Sequence, residues 1–583
     1  MQVLKVWAPF AETLQVLING QAFPLEEKSG GWWHTARPVA PETDYFFMVD
    51  SKKPVPDPRS MRQLRGIHGP SRKIDHKAFS WSDDNFQPPP LSSAVIYELH
   101  VGTFSGKGSF DGMIEHLDHL ADLGVTHVEV MPVNGFSGSR GWGYDGVNLF
   151  APHESYGGPD GFKRLVDACH AKGLAVILDV VYNHLGPAGN YLDHFGPYFT
   201  DRYQSPWGMA INLDGSGSHE VRSFFCDNAA MWMRDYHVDG LRIDAVHALV
   251  DMSAVNFLEE LRQTAEQVQA ETGRHKVLIA ESDLNDPRTV RPRTAGGHGM
   301  DAQWSDDFHH AMHAVLTGEQ TGYYSDFGTI SDIARALTRV FVYDNRFSGF
   351  RQRFHGRPVH ELSGKSFLAY LQNHDQVGNR AIGERLNHLV SPARFKAAAA
   401  LMLLSPFVPM LFQGEEWAAS TPFLYFTDHE DPELGEAVRK GRCGEFASFG
   451  WDPEKIPDPQ AVETFNRCVL NWEEKQKPFH ADILDWYMQL IALRKNLPEA
   501  TDGRMDRVRA SADDDASWLV MNRGRLVVAC NLADHGQLLP VPDAEKMDLK
   551  LCSGKNPKIN ARGIELPGEC AAVLYKKPGA EEA

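Results

Sequence analysis

The chain has 583 residues, 42% of them hydrophobic, which is ordinary for a globular protein, and its length allows several domains, one of which can be a barrel of roughly 250 residues or more. A formal net charge of -19 argues against nucleic acid and other phosphate-rich partners, which are held by clustered Lys and Arg, so neutral or cationic ligands fit better. No apolar run approaches the roughly 20 residues that span a bilayer, and the opening MQVLKVWAPF lacks the features of a signal peptide. The expectation is a cytoplasmic protein with no membrane partner. Seven scattered cysteines with no C-x-x-C pair read as reduced thiols and offer no zinc site.

From Val3 to about Asp50, LKVWAP, LQVLING, WWHTARP and DYFFMVD read as short strands separated by turns, the pattern of a small β-sandwich. Trp32 and Trp33 lie in it, and they suit either glucan binding or shaping of a neighbouring cleft. Prolines in VPDPRS and at Pro88, Pro89 and Pro90 mark its exit, placing an N-terminal sandwich, resembling a carbohydrate-binding module, at 1–88.

From Ala94 strands alternate with helices. Strand cores are expected in AVIYELHV, VTHVEVMPV, LAVILDVVY, GLRIDA, KVLIAES, DAQW, SFLAYLQ and VPMLFQG, each almost wholly apolar, as parallel strands buried on both faces are. FDGMIEHLDHLADLG and PDGFKRLVDACHAKG read as helices stopped by Gly124 and Gly173. Eight such strands predict a (β/α)8 TIM barrel over 89–496. The sixth strand is short, and the eighth connection, from about Trp417 to Pro478, is long; its Tyr425, Phe426 and Asp428 are candidates for a wall of the binding groove. After the helix ILDWYMQLIALRKNL, the strands SWLVMNR, RLVVACNL and AAVLYKK predict an antiparallel β domain over 497–583.

The stretch GLRIDAVHALV carries an arginine and an aspartate two positions apart, so Arg242 and Asp244 share one strand face. Burying an ion pair costs several kcal/mol per ion unless the charges are closely paired. The pair therefore reads either as a structural salt bridge or as catalytic machinery. The same end of other strands collects polar groups: Asp179, Asn183 and His184 at strand three, His247 after strand four, Glu281 at strand five, His374 and Asp375 at strand seven. In a barrel this rim builds the active site.

Three carboxylates with an arginine and two histidines, and no phosphate loop, suit retaining glycoside hydrolysis. That reaction needs an ionised nucleophile and a protonated acid set about 5 to 5.5 Å apart. Arg242 beside Asp244 would keep that aspartate ionised, and Glu281, flanked by Ile279 and Ala280, is the carboxyl whose pKa would rise. A metal-dependent hydrolase is the rival on the same barrel, but strand one brings only His100 instead of paired histidines. His309 and His313 in DFHHAMH lie four residues apart, yet His310 stands where H-E-x-x-H needs glutamate. A non-catalytic glycan-binding protein is the rival from another class, and the presence of all three carboxylates speaks against it.

In this order, these segments resemble the four motif regions of the α-amylase family of glycoside hydrolases and transglycosylases. The resemblance implies Asp244 as nucleophile, Glu281 as acid/base and Asp375 as the carboxylate that distorts and stabilises the bound sugar. It also implies Arg242, His184 and His374 around that sugar, Tyr144 of GWGYDGVNLF as its stacking platform, and Asp179 as support for the arginine. A narrower resemblance, in DAQWSDDFHHAMHAVLTGEQTGYYSDFG, ESDLNDPR and TPFLYFTDHEDPELGEAVRKGR, is to the maltooligosyltrehalose trehalohydrolase branch, which cuts the α-1,4 bond next to a terminal trehalose unit. Where typical α-amylases carry Lys-His after the nucleophile, this chain has His247 and Ala248, so its leaving-side contacts should differ.

That branch implies Asp306, Asp307 and His309 near trehalose-accepting subsites, with Gln376 and Asn379 close by. The implied substrates are maltooligosyl trehalose and related α-glucans, with a functional partnership to a maltooligosyltrehalose synthase. A branching enzyme or an α-amylase-type hydrolase carries the same triad and remains the alternative. Trp142 and Trp304 are candidates for contact with sugar rings, with core packing as the other reading. No cofactor and no catalytic metal are expected; calcium near Asn183, which some family members bind, stays open.

Overall fold

The computed structural model describes residues 3–447, 455–555 and 557–577. Its centre is a closed barrel of eight parallel strands: β1 (Ile96–Leu99), β2 (His127–Val130), β3 (Ala175–Val180), β4 (Gly240–Ile243), β5 (Val277–Ala280), β6 (Ala302–Trp304), β7 (Phe367–Ala369) and β8 (Val408–Phe412). They stand in chain order around the ring, β8 pairing with β1 through Met410 and Ile96. Each expected strand core contains one of these strands, including the short sixth. Every residue in them is buried, because one face meets the surrounding helices and the other fills the barrel.

The period of two sorts the inward side chains into layers. Ile96, Ile177, Val277, Ile279, Leu368 and Met410 belong to one apolar cluster inside the ring. Above it, toward the carboxyl ends, come Glu98 and Glu129, paired across β1 and β2, and Asp179 and Arg242, paired across β3 and β4. The charged residues of the sequence thus form the upper storey of an apolar plug.

Helices Gly158–Ala171, Ser218–Asp235, Phe257–Thr272 and Pro392–Leu403 link successive strands. Gly124 and Gly173 end their helices in left-handed conformation, with φ of 95° and 75°, which a glycine adopts without the Cβ penalty. The stretch expected as one helix before Gly124 is two, Phe110–Ile114 and Leu117–Leu123. Between them His116 leaves helical geometry and lies flat on Trp472, ring centroids 3.9 Å apart.

Before the barrel lies a six-stranded antiparallel sheet. Its strand Gln21–Glu27 is absent from the sequence-based reading because Pro24 interrupts the pattern. That strand passes from one half of the sheet to the other, pairing Pro24 with Gln15 and Leu25 with Thr35. After the barrel come a five-stranded antiparallel sheet and a three-stranded one. Among the described residues no helix is long and apolar enough to cross a membrane.

Candidate active site

Arg242 is the hub of the barrel's upper rim. Its Nη1 donates to both Asp179 oxygens at 2.9 and 2.8 Å and to Asp244 Oδ1 at 2.8 Å, while Nη2 lies 2.8 Å from Glu281 Oε2. Below it the Trp304 ring centroid is 4.3 Å from the guanidinium carbon, close enough for a cation–π contact. Three carboxylates, one on β3 and two just past the ends of β4 and β5, therefore converge on one cation, as the register of the strands dictates. The arginine itself is 1% exposed, so water competes little for any of these bonds.

Asp244 is held from a second side by Asn183, whose Nδ2 donates to Oδ2 at 2.7 Å and to the Asp244 carbonyl at 2.8 Å. The next residue, Ala245, turns left-handed with φ 38°, and its N–H donates to Glu281 Oε2 at 2.7 Å. This turn brings the two carboxyls together over the arginine. Burial pushes the Asp244 pKa up, but Arg242, His184 and the Asn183 hydrogen bond prevail and hold it below the usual range. Glu281 goes the other way: burial raises it well above the usual glutamate range against the pull of Arg242, with repulsion from Asp244 and Asp375 adding to the rise. Two adjacent carboxyls are thus driven in opposite directions. Burial also pushes Asp179 up to about 6, against the pull of Arg242.

Tyr144 donates its hydroxyl to Asp179 at 2.5 Å and stacks on His374 with ring centroids 5.1 Å apart. His374 is fixed by Glu98 of β1, which accepts from its backbone N–H at 2.9 Å and bonds Nδ1 at 2.5 Å. Burial lowers the histidine's pKa, but the Glu98 carboxylate more than offsets this and raises it. Asp375, on the short helix His374–Gly378, accepts from Asn379 Nδ2 at 2.5 Å. Arg442 in turn donates to Asn379 Oδ1 at 2.8 Å. His184 bonds Asn183 and stacks flat on Trp207, centroids 4.6 Å apart.

Two cavities open here. The first, about 380 Å³, is lined by Tyr144, His184, Arg242, Asp244, His247, Glu281, His374, Asp375 and Asn379 of the sequence-predicted set. The second, about 660 Å³, shares Asp375 and Asn379 with the first and adds Asp306 and Gln376. Asp306 accepts from the Tyr370 hydroxyl, and burial raises it to about 6. Asp179 lies beneath the arginine instead of lining either cavity.

Asp307 and His309 are brought into neither. The Asp307 carboxylate accepts from Val342 N at 2.7 Å, Tyr343 N at 2.8 Å and Asn285 Nδ2 at 3.0 Å, so it fastens a loop. His309 is 1% exposed and packs against His313 and Tyr370. For Asp307 this follows from the helix Asp306–Thr317, whose rotation from one residue to the next leaves Asp306 facing the groove and turns Asp307 into the protein. Trp142 lines the first cavity, whereas Trp304 is core beneath Arg242.

Sequence reasoning missed Trp207, at the tip of the hairpin formed by Phe199–Ser205 and Gly208–Ile211, and Asp283, Tyr323, Phe350 and Arg351 of the second cavity. Trp207 and Phe350 are 49% and 48% exposed; a tryptophan in the turn SPWG was the one signal available. Tyr425 and Phe426 of the long eighth connection line the first cavity. Asp428 instead anchors Arg140 and the Ser139 backbone. Among the described residues no group of three or more His, Cys, Asp or Glu side chains is arranged to hold a metal ion.

Residues 78–204 match the model of the alpha amylase catalytic domain. The malto-oligosyltrehalose trehalohydrolase of Arthrobacter ramosus is 48% identical over 575 residues, covering 98% of both chains. The enzyme of the same name from Saccharolobus solfataricus is 45% identical over 526 residues, 90% of each chain. A solved structure from Salmonella typhimurium, assigned as an alpha amylase, superposes with a TM-score of 0.90 at 35% identity over 98% of this chain and 97% of its own. The barrel, its charged rim and these full-length likenesses agree: the chain belongs to the malto-oligosyltrehalose trehalohydrolases of the α-amylase family.

Proposed function

We propose that the chain hydrolyses, with retention, the α-1,4-glucosidic bond next to the terminal trehalose of maltooligosyl trehalose, releasing trehalose and a maltooligosaccharide. The observation that carries the chemistry is one buried arginine bonded to both Asp244 and Glu281, whose pKa values are driven apart. One guanidinium's width suits the close pair of a retaining enzyme, about 5 to 5.5 Å, and not the wider gap of an inverting one.

Glu281, protonated, donates to the glycosidic oxygen as the bond to the anomeric carbon breaks. A carboxylate oxygen of Asp244 attacks that carbon from the other side, forming a glycosyl ester. Trehalose then leaves, and Glu281, now ionised, takes a proton from the water that attacks the ester and frees Asp244. Arg242 and Asn183 keep the nucleophile ionised and aimed. Tyr144, stacked on His374, offers the sugar ring a flat apolar face, and Asp375 accepts hydrogen bonds from its hydroxyls.

The second cavity supports the choice of leaving group. It joins the first at Asp375 and Asn379 and combines Asp283, Asp306 and Arg351 with the rings of Tyr323 and Phe350. Such a lining can hydrogen-bond a non-reducing disaccharide, and an ordinary maltosyl end would leave buried polar groups unpaired. The three-part division at 1–88, 89–496 and 497–583 belongs to the same reading, as does work in the cytoplasm beside a synthase that makes the trehalose end.

The test supplies purified protein with maltooligosyl trehalose and, separately, with a maltooligosaccharide of equal length, and identifies products by chromatography. Free trehalose formed at least tenfold faster than any product of the plain chain is the expected result. Equal cleavage of both would move the activity to an amylase, and longer or branched products without trehalose would move it to transfer.

A further inference from the structure

Outside the active site the fold brings two of the seven cysteines together. Cys552 ends the strand Met547–Cys552, and Cys570 begins the strand Cys570–Lys576. These strands are antiparallel neighbours with Cys552 opposite Ala572. Cys570 lies two residues from Ala572, so both thiols project from the same sheet face, one diagonal step apart. Their sulfurs are 3.7 Å apart. Cys530, in contrast, points to the other face and packs on Ala397 of the barrel helix.

The two sulfurs differ in their surroundings. Cys552 and Ser553 are partly exposed, whereas Cys570 is buried at 1%. Ser553 Oγ lies 3.6 Å from the Cys570 sulfur. A Cβ on Gly554 would come within 2.7 Å of that sulfur, so glycine lets the turn pass directly over it. The hydrogen bond from Cys552, ahead of an opposing effect of burial, brings the Cys570 thiol down to about 7. Of the two, Cys570 is therefore the sulfur favoured as thiolate, with Cys552 as its hydrogen-bond donor.

We propose that Cys552 and Cys570 are a redox-active pair that a hydroperoxide converts into a reversible disulfide. The Cys570 thiolate attacks the peroxide; the O–O bond breaks, one oxygen stays on sulfur as a sulfenic acid, and the other leaves as alcohol or water after taking a proton. The Cys552 sulfur then attacks the Cys570 sulfur. The S–S bond forms, the S–O bond breaks, and the hydroxyl departs as water with the Cys552 proton. Two thiols lose two electrons to one peroxide, and a thiol reductant returns them. The two sulfurs must approach from 3.7 Å to about 2.05 Å, and because diagonal neighbours lie about 7 to 8 Å apart, the strand ends must draw together along with the side chains.

The bond would close the segment 553–569. Glu569 at its end bonds Ser391 and pairs with Arg394 at 3.1 Å, in the first turn of the barrel helix Pro392–Leu403. Oxidation would thus stiffen the place where the C-terminal sheet grips the barrel, leaving the catalytic rim untouched.

The experiment treats the full chain with a modest excess of hydrogen peroxide. The expected result is the loss of two of its seven free thiols, a mass lower by about 2 Da, a peptide joining Cys552 to Cys570, a higher Tm, and full reversal by dithiothreitol. Cys552→Ser should instead accumulate a sulfenic acid at Cys570, trapped by dimedone, with glycosidase activity unchanged. Wild-type protein in which the two thiols remain separately alkylatable after peroxide, or pass to sulfinic acid without crosslinking, would overturn the proposal.

Discussion

At the scale of single residues, Asp244 and Glu281 differ in chemistry because they differ in partners. Asp244 is bonded by a cation and an amide N–H, which stabilise the ionised form. Glu281 faces two other carboxylates in a buried place, which favours its proton. Asp244→Asn should keep the fold, since asparagine fills the same space, and lower kcat by on the order of ten-thousandfold or more; a variant near wild-type activity would remove Asp244 from the nucleophile role. The pH profile has a definite sign. Asp244, lowered, must be ionised, so kcat/KM falls only as pH drops below the usual aspartate value of about 3.9. Glu281, raised, must be protonated, so kcat/KM falls again as pH climbs through a value well above about 4.3. Rates measured across pH should give a bell, and Glu281→Gln should lose the alkaline limb along with most activity.

At the scale of elements, the helix Asp306–Thr317 shows how adjacent residues of one type acquire different work. Asp306 faces the second cavity, whereas Asp307 accepts three hydrogen bonds from a neighbouring loop. Asp307→Ala leaves the Val342 and Tyr343 N–H groups buried without their acceptor and should destabilise the protein by about 3 kcal/mol. Thermal unfolding and kinetics separate the readings: Tm should fall while KM stays near wild type. A large rise in KM at unchanged Tm would return Asp307 to the substrate.

At the scale of the whole molecule, the segment entering the barrel is clipped to its floor by a buried charge cluster. Asp83 bonds His170 at 2.7 Å, His237 at 2.8 Å and Arg274 at 2.8 Å, and His170 reaches Asp239 at 2.9 Å on its other side. Phe86 stacks on His170 and Trp81 on His237. Asp83→Ala strands the Arg274 guanidinium and leaves both histidines without their shared acceptor, and should cost about 3 to 5 kcal/mol. Burial alone would lower the His170 pKa, but Asp239 and Asp83 raise it. His170's share of the clip is therefore full below the unfolded histidine value of about 6.5 and is lost as pH rises through the higher folded value, while the Arg274 pair persists. Chemical denaturation across that range should show wild-type stability declining toward alkaline pH, with a smaller decline in Asp83→Ala, where Asp239 alone still faces His170; parallel curves would contradict it.

The sequence by itself determined the eight barrel strands, the β character of both ends and the polar rim. These are written in local patterns: continuous apolar runs, a period of two, and charges at the carboxyl ends of strands. It carried Arg242 and Asp244 together because two positions on one strand must share a face. Only the tertiary structure decided which neighbours each polar group would meet. Asp306 and Asp307 are indistinguishable in a string of letters, and a helix turns one into the groove and the other into the core. Trp207 reaches the cavity from a hairpin tip, and Cys552 meets Cys570 across two strands that eighteen positions of chain separate. Such encounters depend on loop paths and strand register between distant segments, which no local pattern specifies.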